Sequence, residues 1–425
     1  MMKRLILGLL LLLSITVPAQ VVSEIGTGTE MQTTYLVEQD LPWPLNMQSR
    51  LDAMMRDPLL DDTQLGIMVW DLTDDYCLFC MNHRQLLRPA STMKLLTAIT
   101  AIDVLGSEYQ FTTSLYYKGI VSGHTLQGDL YCVGGMDPAF STDDMKGFAE
   151  SLKQLSIDTI DGAIVVDTSM KDTLKWGEGW CWDDDNPTLT PLLIDRKEHW
   201  PHADRSASKH RSSQTDTDDA IARILCDQGI TLYNMTVVEG SLPADAVLVS
   251  ERRRSIRQIL ERMMKDSDNL YAESMYYQIG AMSNRPAKAL HAQRLEKALI
   301  ERAGLDSSRY RLADGSGLSL YNYLSAELEV RILRYAYQHR QVYATLLPAL
   351  PIAGEDGTLK RRMKGTSAEG NVQAKTGTLT GVISLAGYCT ASNGHRLCFA
   401  IMNQGIQKGS VARAYQDKIC SILCD

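Results

Sequence analysis

Two runs near the end of the chain, Val382-Ile383-Ser384-Leu385-Ala386-Gly387-Tyr388-Cys389-Thr390 and Leu397-Cys398-Phe399-Ala400-Ile401-Met402, flank Asn393-Gly394, a dipeptide that favours tight hairpins. Side chains alternate between the faces of a strand, and here both faces are apolar. A sheet of this kind cannot leave either side in water, so helices must cover both. That requirement selects a layered α/β arrangement. The helices are available. An apolar stretch follows Ser91, residues 252–343 read as helical, and a closing helix over Val411–Leu423 puts Val411, Tyr415, Ile419 and Ile422 on one face.

With a two-residue loop, Ser392 pairs with His395, and Cys389 then stands opposite Cys398 in a non-hydrogen-bonded pair. Two readings stay open, a disulfide or two buried free thiols. The chain has nine cysteines, so at least one lacks an internal partner. Cys77-Leu78-Phe79-Cys80 has redox-motif spacing but falls at the end of a strand rather than a helix start, which favours a structural role.

The first residues join Lys3-Arg4 to an apolar run, Leu5–Leu13, and to Val17-Pro18-Ala19. This pattern marks residues 1–19 as a signal peptide cut after Ala19, with a core too short to span a membrane. An exported product, periplasmic or in the cell envelope and without a transmembrane segment, is expected. Residues 20–42 form a polar arm. The net charge of −8 becomes −10 once Lys3 and Arg4 are removed, which argues against nucleic acid or an anionic membrane as partner.

The chain reads as one domain from residues 43–106 and 252–425, interrupted by 107–251. The interruption carries short strands at Phe111–Tyr117, Leu126–Val133 and Ala163–Asp167, with helices near Met145–Leu155 and Asp218–Gln228. A polar linker, 183–217, runs through it.

Ser91-Thr92-Met93-Lys94 places a hydroxyl and an amine three residues apart, on one helix face. Among Met93, Leu95, Leu96, Ala98 and Ile99 the amine loses hydration, which lowers its pKa and lets it take the serine proton. The N–H groups of the helix start are suited to an oxyanion. The spacing alone is weak evidence. It recurs at Ser206-Ala207-Ser208-Lys209 in the polar linker, with no apolar helix behind it. His199-Trp200-Pro201-His202 lies in the same linker and reads as exposed rather than metal-binding.

Two further motifs occur once each: Ser267-Asp268-Asn269 at the end of a helix and Lys375-Thr376-Gly377 on a strand. With Ser91 and Lys94, in this order, they match the set shared by serine β-lactamases and penicillin-binding proteins. The chain resembles the D-alanyl-D-alanine carboxypeptidase/endopeptidase family, the class C low-molecular-mass penicillin-binding proteins, over nearly all of its mature length. The likeness runs through Arg88–Lys94, Gly128–Gly135, Trp176–Trp180, Ser267–Glu273, Asp314–Ser319, Ala353–Leu359 and the Lys375 motif. The resemblance implies an α/β fold: a penicillin-binding-protein/β-lactamase-like domain, its antiparallel sheet covered by helices, with an inserted α+β module.

It also implies peptidoglycan stem peptides as substrate, β-lactam antibiotics as inhibitors, and no cofactor or metal. Ser91 would be the nucleophile, Lys94 its base, Ser267 a proton relay supported by Lys375, and Asn269 an orienting group. The N–H groups of Ser91 and Thr378 would hold the oxyanion. Thr376 and Thr378 would bind the terminal carboxylate, and Gly377 would let the substrate approach the strand. Two departures stand out, a shortened insertion and Leu320 where the family commonly has arginine. Alternative readings are a serine β-lactamase, disfavoured by the lack of a Glu-x-x-Leu-Asn deacylation motif, and a non-catalytic peptidoglycan- or penicillin-binding module.

Overall fold

The computed structural model describes residues 41–184, 186–195 and 213–425. The proposed signal peptide, nearly all of the arm, Ser206–Lys209 and His199–His202 lie outside them. From its start the described chain runs α1 (Leu45–Met54), β1 (Gln64–Asp71), β2 (Tyr76–Met81) and α2 (Met93–Leu105). Then follow β3 (Gln110–Ser122), β4 (Thr125–Val133), α3 (Thr142–Gln154), β5 (Thr159–Asp161), β6 (Ile164–Asp167) and α4 (Ser213–Asp227). Next come β7 (Thr231–Leu232), β8 (Val237–Glu239), β9 (Val247–Ser255) and helices α5 (Ile256–Lys265), α6 (Asn269–Ser283), α7 (Ala289–Arg302), α8 (Ala326–Gln338) and α9 (Arg340–Leu346). The chain closes with β10 (Gln373–Leu379), β11 (Val382–Thr390), β12 (Arg396–Gln404) and α10 (Gly409–Cys424).

One antiparallel sheet has the order β10-β11-β12-β1-β2 and so joins the two ends of the chain. Alternation along its strands divides its apolar residues between two cores. Leu65, Ile67, Val69, Leu385, Phe399 and Ile401 pack toward α1 and α10. Met68, Ala386, Tyr388, Ala400 and Met402 pack toward α2 and α8, in the core that also takes in α5, α6 and α7. A buried leucine or phenylalanine contributes about 1.5–3 kcal/mol, so neither face could be exposed. The second sheet, β7-β5-β4-β3-β9 with β6 and β8 attached, has its own core around Leu115, Leu130, Phe148, Ile164, Ile221 and Leu225.

Three local expectations change. The hairpin loop has three residues, not two: Gly394 N–H bonds to Ala391 O, Ala391 N–H bonds to His395 O, and Gly394 takes φ +87°. A glycine in that conformation closes a type I turn and shifts the register by one. Cys389 therefore faces Leu397, while Cys398 faces Tyr388. A one-residue slip sends the two thiols to opposite faces: Cys389 lies in the α10 core and Cys398 in the α8 core. Both are free, as are the other seven cysteines.

Helix does not begin at Arg252. Arg252–Arg254 pair with Phe111–Thr113 on β3, and Arg254 bonds to the carboxylates of Asp137 and Asp144, at 3.3 and 2.8 Å. Of the four residues expected on one face of α10, Val411 is 48% exposed in the first turn, while Tyr415, Ile419 and Ile422 are buried together with Ala412, Cys420 and Leu423.

Candidate active site

The site is built where three elements meet: the turn before α2, the α5–α6 junction and the edge strand β10. Residues Ala90–Thr92 form a single tight turn leading into α2, with Ala90 at φ +50°. A left-handed conformation is unfavourable by about 1–2 kcal/mol for a residue bearing a Cβ, and packing on both sides holds it here. A Cβ on Gly317 would lie 1.8 Å from Ala90 O, and one on Gly377 would lie 2.6 Å from Pro89 O and 2.1 Å from Ser384 Oγ. Only glycine lets the 314–319 loop and β10 close on the serine turn at these distances.

Lys94, in the first turn of α2, is fully buried. Its Nζ lies 3.0 Å from Ser91 Oγ, 2.8 Å from Asn269 Oδ1 and 2.7 Å from the backbone O of Ser316. Desolvation pulls the amine down to about 8, against the opposing charges of Asp314, Glu273 and Asp268. About a tenth of the molecules then hold a neutral amine at pH 7, against about 0.03% for an ordinary lysine. The geometry sets what that amine can do. Carbonyl oxygens only accept, so Asn269 Oδ1 and Ser316 O each take one N–H. The remaining lone pair faces Ser91 Oγ, as a general base requires.

Helix α5 ends at Lys265, and Ser267 follows at φ +61°. Asp268 caps α6 by accepting from the N–H groups of Leu270 and Tyr271, which places Asn269 in the first turn of α6. On β10 the buried Lys375 Nζ lies 2.8 Å from Ser267 Oγ and 2.7 Å from Thr376 O. Burial, reinforced by the charge of Lys94, drives its pKa well below the usual lysine range. Thr376 Oγ1 meets Thr358 Oγ1 at 2.8 Å, and Thr378 is exposed further along the same strand. Hydrogen bonds thus join Ser91, Lys94 and Asn269 in one group and Ser267 with Lys375 in a second, with Thr376, Gly377 and Thr378 following Lys375 on β10.

The sequence reading missed the acids behind Lys94. Asp314 Oδ1 accepts from Gly317 N–H at 2.8 Å, and its Oδ2 accepts from Ser319 N–H at 2.6 Å and Trp180 Nε1 at 2.8 Å. Glu273 Oε1 accepts from the N–H groups of Gly315 and Ser316, at 3.1 and 2.8 Å. Both acids occur within the blocks that carried the family resemblance, but only the fold places them under the lysine. Leu320 leaves this machinery intact: its backbone O accepts from Arg88 Nε at 3.1 Å.

Among the described residues Asp71, Asp74 and His395 bring potential metal ligands together. Asp71 already accepts from Thr73 N–H, Asp74 N–H and His395 Nδ1, so the group reads as a pin on the β11–β12 hairpin.

A serine whose hydroxyl faces a buried, partly neutral lysine, at the edge of a helix-covered antiparallel sheet, is the equipment of an acyl-transferring serine hydrolase. Comparison with known proteins narrows the class. The family model described as the D-Ala-D-Ala carboxypeptidase 3 (S13) family matches residues 47–195 and 201–424, and the chain belongs to that family. It is a peptidase, a hydrolase of the D-alanyl-D-alanine carboxypeptidase type. It is 28% identical to a D-alanyl-D-alanine carboxypeptidase of Actinomadura sp., across 89% of this chain and 84% of the other. It is 24% identical to D-alanyl-D-alanine carboxypeptidase DacB of Haemophilus influenzae, across 83% and 88%. The crystal structure of penicillin binding protein 4 from Haemophilus influenzae superposes with a TM-score of 0.76 at 25% identity, covering 88% of this chain and 97% of that one. Among the described residues no helix is long and apolar enough to cross a membrane.

Proposed function

We propose that this chain hydrolyses the D-alanyl-D-alanine bond of peptidoglycan stem peptides through an acyl-enzyme on Ser91. The observation that carries this reading is the setting of Lys94 Nζ: buried, 3.0 Å from Ser91 Oγ, with two carbonyl acceptors fixing its remaining valences. The lone pair takes the serine proton as Oγ attacks the carbonyl of the penultimate D-alanine. The N–H groups of Ser91 and Thr378 receive the oxyanion, each worth about 3–4 kcal/mol by analogy with other such donors. Ser267 relays to the leaving nitrogen of D-alanine the proton that Lys94 took from Ser91, giving up its own and receiving that one in return, with Lys375 Nζ 2.8 Å from its Oγ in support. Asn269 orients Lys94 and bonds the substrate backbone.

Lys375, Thr376 and Thr378 hold the terminal carboxylate. The hydrogen-bond partners of Lys375, Ser267 Oγ and Thr376 O, are uncharged, so an arriving carboxylate supplies a counter-charge and favours the ammonium form. Water then releases the acyl group. A β-lactam enters the same cycle by opening its ring on Ser91, and solved relatives include a penicillin binding protein 4 complexed with a β-lactam. The inserted domain, expected over residues 107–251, runs on to Ser255 at the end of β9 and meets the site through the bond from Trp180 to Asp314, and the protein works in the cell envelope after export.

The test measures D-alanine release from a D-Ala-D-Ala pentapeptide and from a cross-linked dimer, beside labelling with a fluorescent penicillin. Release that disappears in Ser91→Ala supports the reading. Rapid loss of label with penicilloate formation assigns a β-lactamase instead, and absence of both release and label assigns a binding module. The ratio of the two peptide rates separates carboxypeptidase from endopeptidase action.

A further inference from the structure

We infer that Glu273 is a positioning residue for Lys94: by receiving the N–H groups of Gly315 and Ser316 it holds the Ser316 carbonyl against Nζ, and so aims the lysine's lone pair at Ser91. The inference rests on the acyl-enzyme reading above and adds to it the group that makes the base directional.

Glu273 is 1% exposed, on the first turns of α6, in the helix that also presents Asn269. One helix thus controls both carbonyls on the amine, Asn269 Oδ1 directly and Ser316 O through the loop. The loop is gripped twice. Glu273 Oε1 takes the N–H groups of residues 315 and 316, and Asp314 takes those of 317 and 319. The N–H groups of 315, 316, 317 and 319 are drawn toward the two acids and that of Leu318 toward Ser316 Oγ, and the carbonyls of 315 and 316 point the other way. Ser316 O meets Lys94 Nζ at 2.7 Å, and Gly315 O meets Thr97 Oγ1 at 2.8 Å, one turn along α2. Loss of the Glu273 grip frees Ser316 O to swing, and an amine that rotates after it no longer faces Ser91.

The acid performs this role as an acceptor rather than as a charge. Burial and the neighbouring Asp314 push its carboxyl up to about 8, against the bonds from Ser316 and the charge of Lys94, so its grip on the loop does not depend on a full negative charge. The other titratable groups that interact with it are Lys94, Lys171, Glu296, Tyr276 and Tyr277. A neutral acceptor of the same length is glutamine.

Glu273→Gln and Glu273→Asp separate reach from charge. The first keeps the acceptor in place without a titratable proton; the second keeps the carboxyl but withdraws it by one methylene. The readout is the acylation rate constant with a fluorescent penicillin from pH 6 to 10, per active site counted by label at saturation, with thermal unfolding in parallel. Expected are acylation within about threefold of wild type for E273Q, and at least about tenfold slower acylation for E273D, with its alkaline midpoint displaced. The inference is overturned if E273D matches wild type in rate and midpoint. It is equally overturned if E273Q loses as much as E273D, or if both variants lose only their fold. Wild-type protein that takes no label on Ser91 would instead strike the underlying reading.

Discussion

Replacing Asn269 with aspartate tests the electrostatics of the site with almost no change of shape. Asn269 Oδ1 lies 2.8 Å from Lys94 Nζ, and an aspartate there presents a carboxylate at the same place. An opposite charge at this distance favours the ammonium and raises a lysine pKa by about 1–3 units. Starting from about 8, the midpoint moves to about 9–11. At pH 7 the neutral fraction falls from about a tenth to between about one in a hundred and one in ten thousand. Acylation should slow by about 10- to 1000-fold at pH 7 and recover most of its rate above the new midpoint. The assay is the second-order rate constant for fluorescent penicillin labelling between pH 6 and 11, normalised to active sites and corrected for spontaneous ring opening. A loss that is the same at all pH values would report only the missing amide donor to the substrate. An unchanged midpoint would refute the reasoning outright.

Further expectations can be checked with the same assay and with stability measurements. Ser267→Ala leaves the buried Lys375 without its 2.8 Å partner, and D-alanine release should drop by about a hundredfold while Tm changes little. Gly377→Ala forces a Cβ to within 2.1 Å of Ser384 Oγ, which should lower the unfolding free energy by about 1–3 kcal/mol and slow acylation by moving β10 off the serine turn. The depressed Lys94 pKa also gives a stability signature. Between the folded value of about 8 and the unfolded value of 10.5 the unfolded chain binds the extra proton, so this residue's contribution to stability rises with pH across that window. The difference in unfolding free energy between wild type and Lys94→Met should therefore shift in favour of wild type from pH 8 to 10.5, by up to about 3 kcal/mol. Peptide mapping of unreduced, alkylated protein should recover Cys389 and Cys398 without a bond between them, since they face opposite sides of the sheet.

What the sequence made legible follows from how local the signal was. Double-faced apolar strands announced a helix-covered sheet, because burial of both faces is written in consecutive residues. The Ser91–Lys94 pairing was equally local, since three residues on one helical turn suffice. The hairpin register was not legible. Asn393-Gly394 suits both a two-residue turn and a three-residue turn closed by glycine, and the choice alone decides whether the two thiols meet. Val411 obeyed the helical period yet lies in the first turn of α10, where it is exposed. Glu273 and Asp314 escaped for a different reason: each grips backbone N–H groups of a loop, which leave no mark in side-chain patterns, and Trp180, a side-chain partner of Asp314, is far away in the sequence. The triple arginine at 252–254 read as the start of a helix, whereas its backbone continues β9.

The central claim is that Lys94 stands as a free amine beside Ser91 at a substantial fraction near neutral pH. Lysines labelled with carbon-13 at Cε, with Lys94 assigned by its loss in Lys94→Arg, would report the titration directly by NMR. A midpoint near 8 is the expected result. A Lys94 signal that stays in the ammonium position beyond pH 10 would contradict it, and with it the assignment of Lys94 as the base.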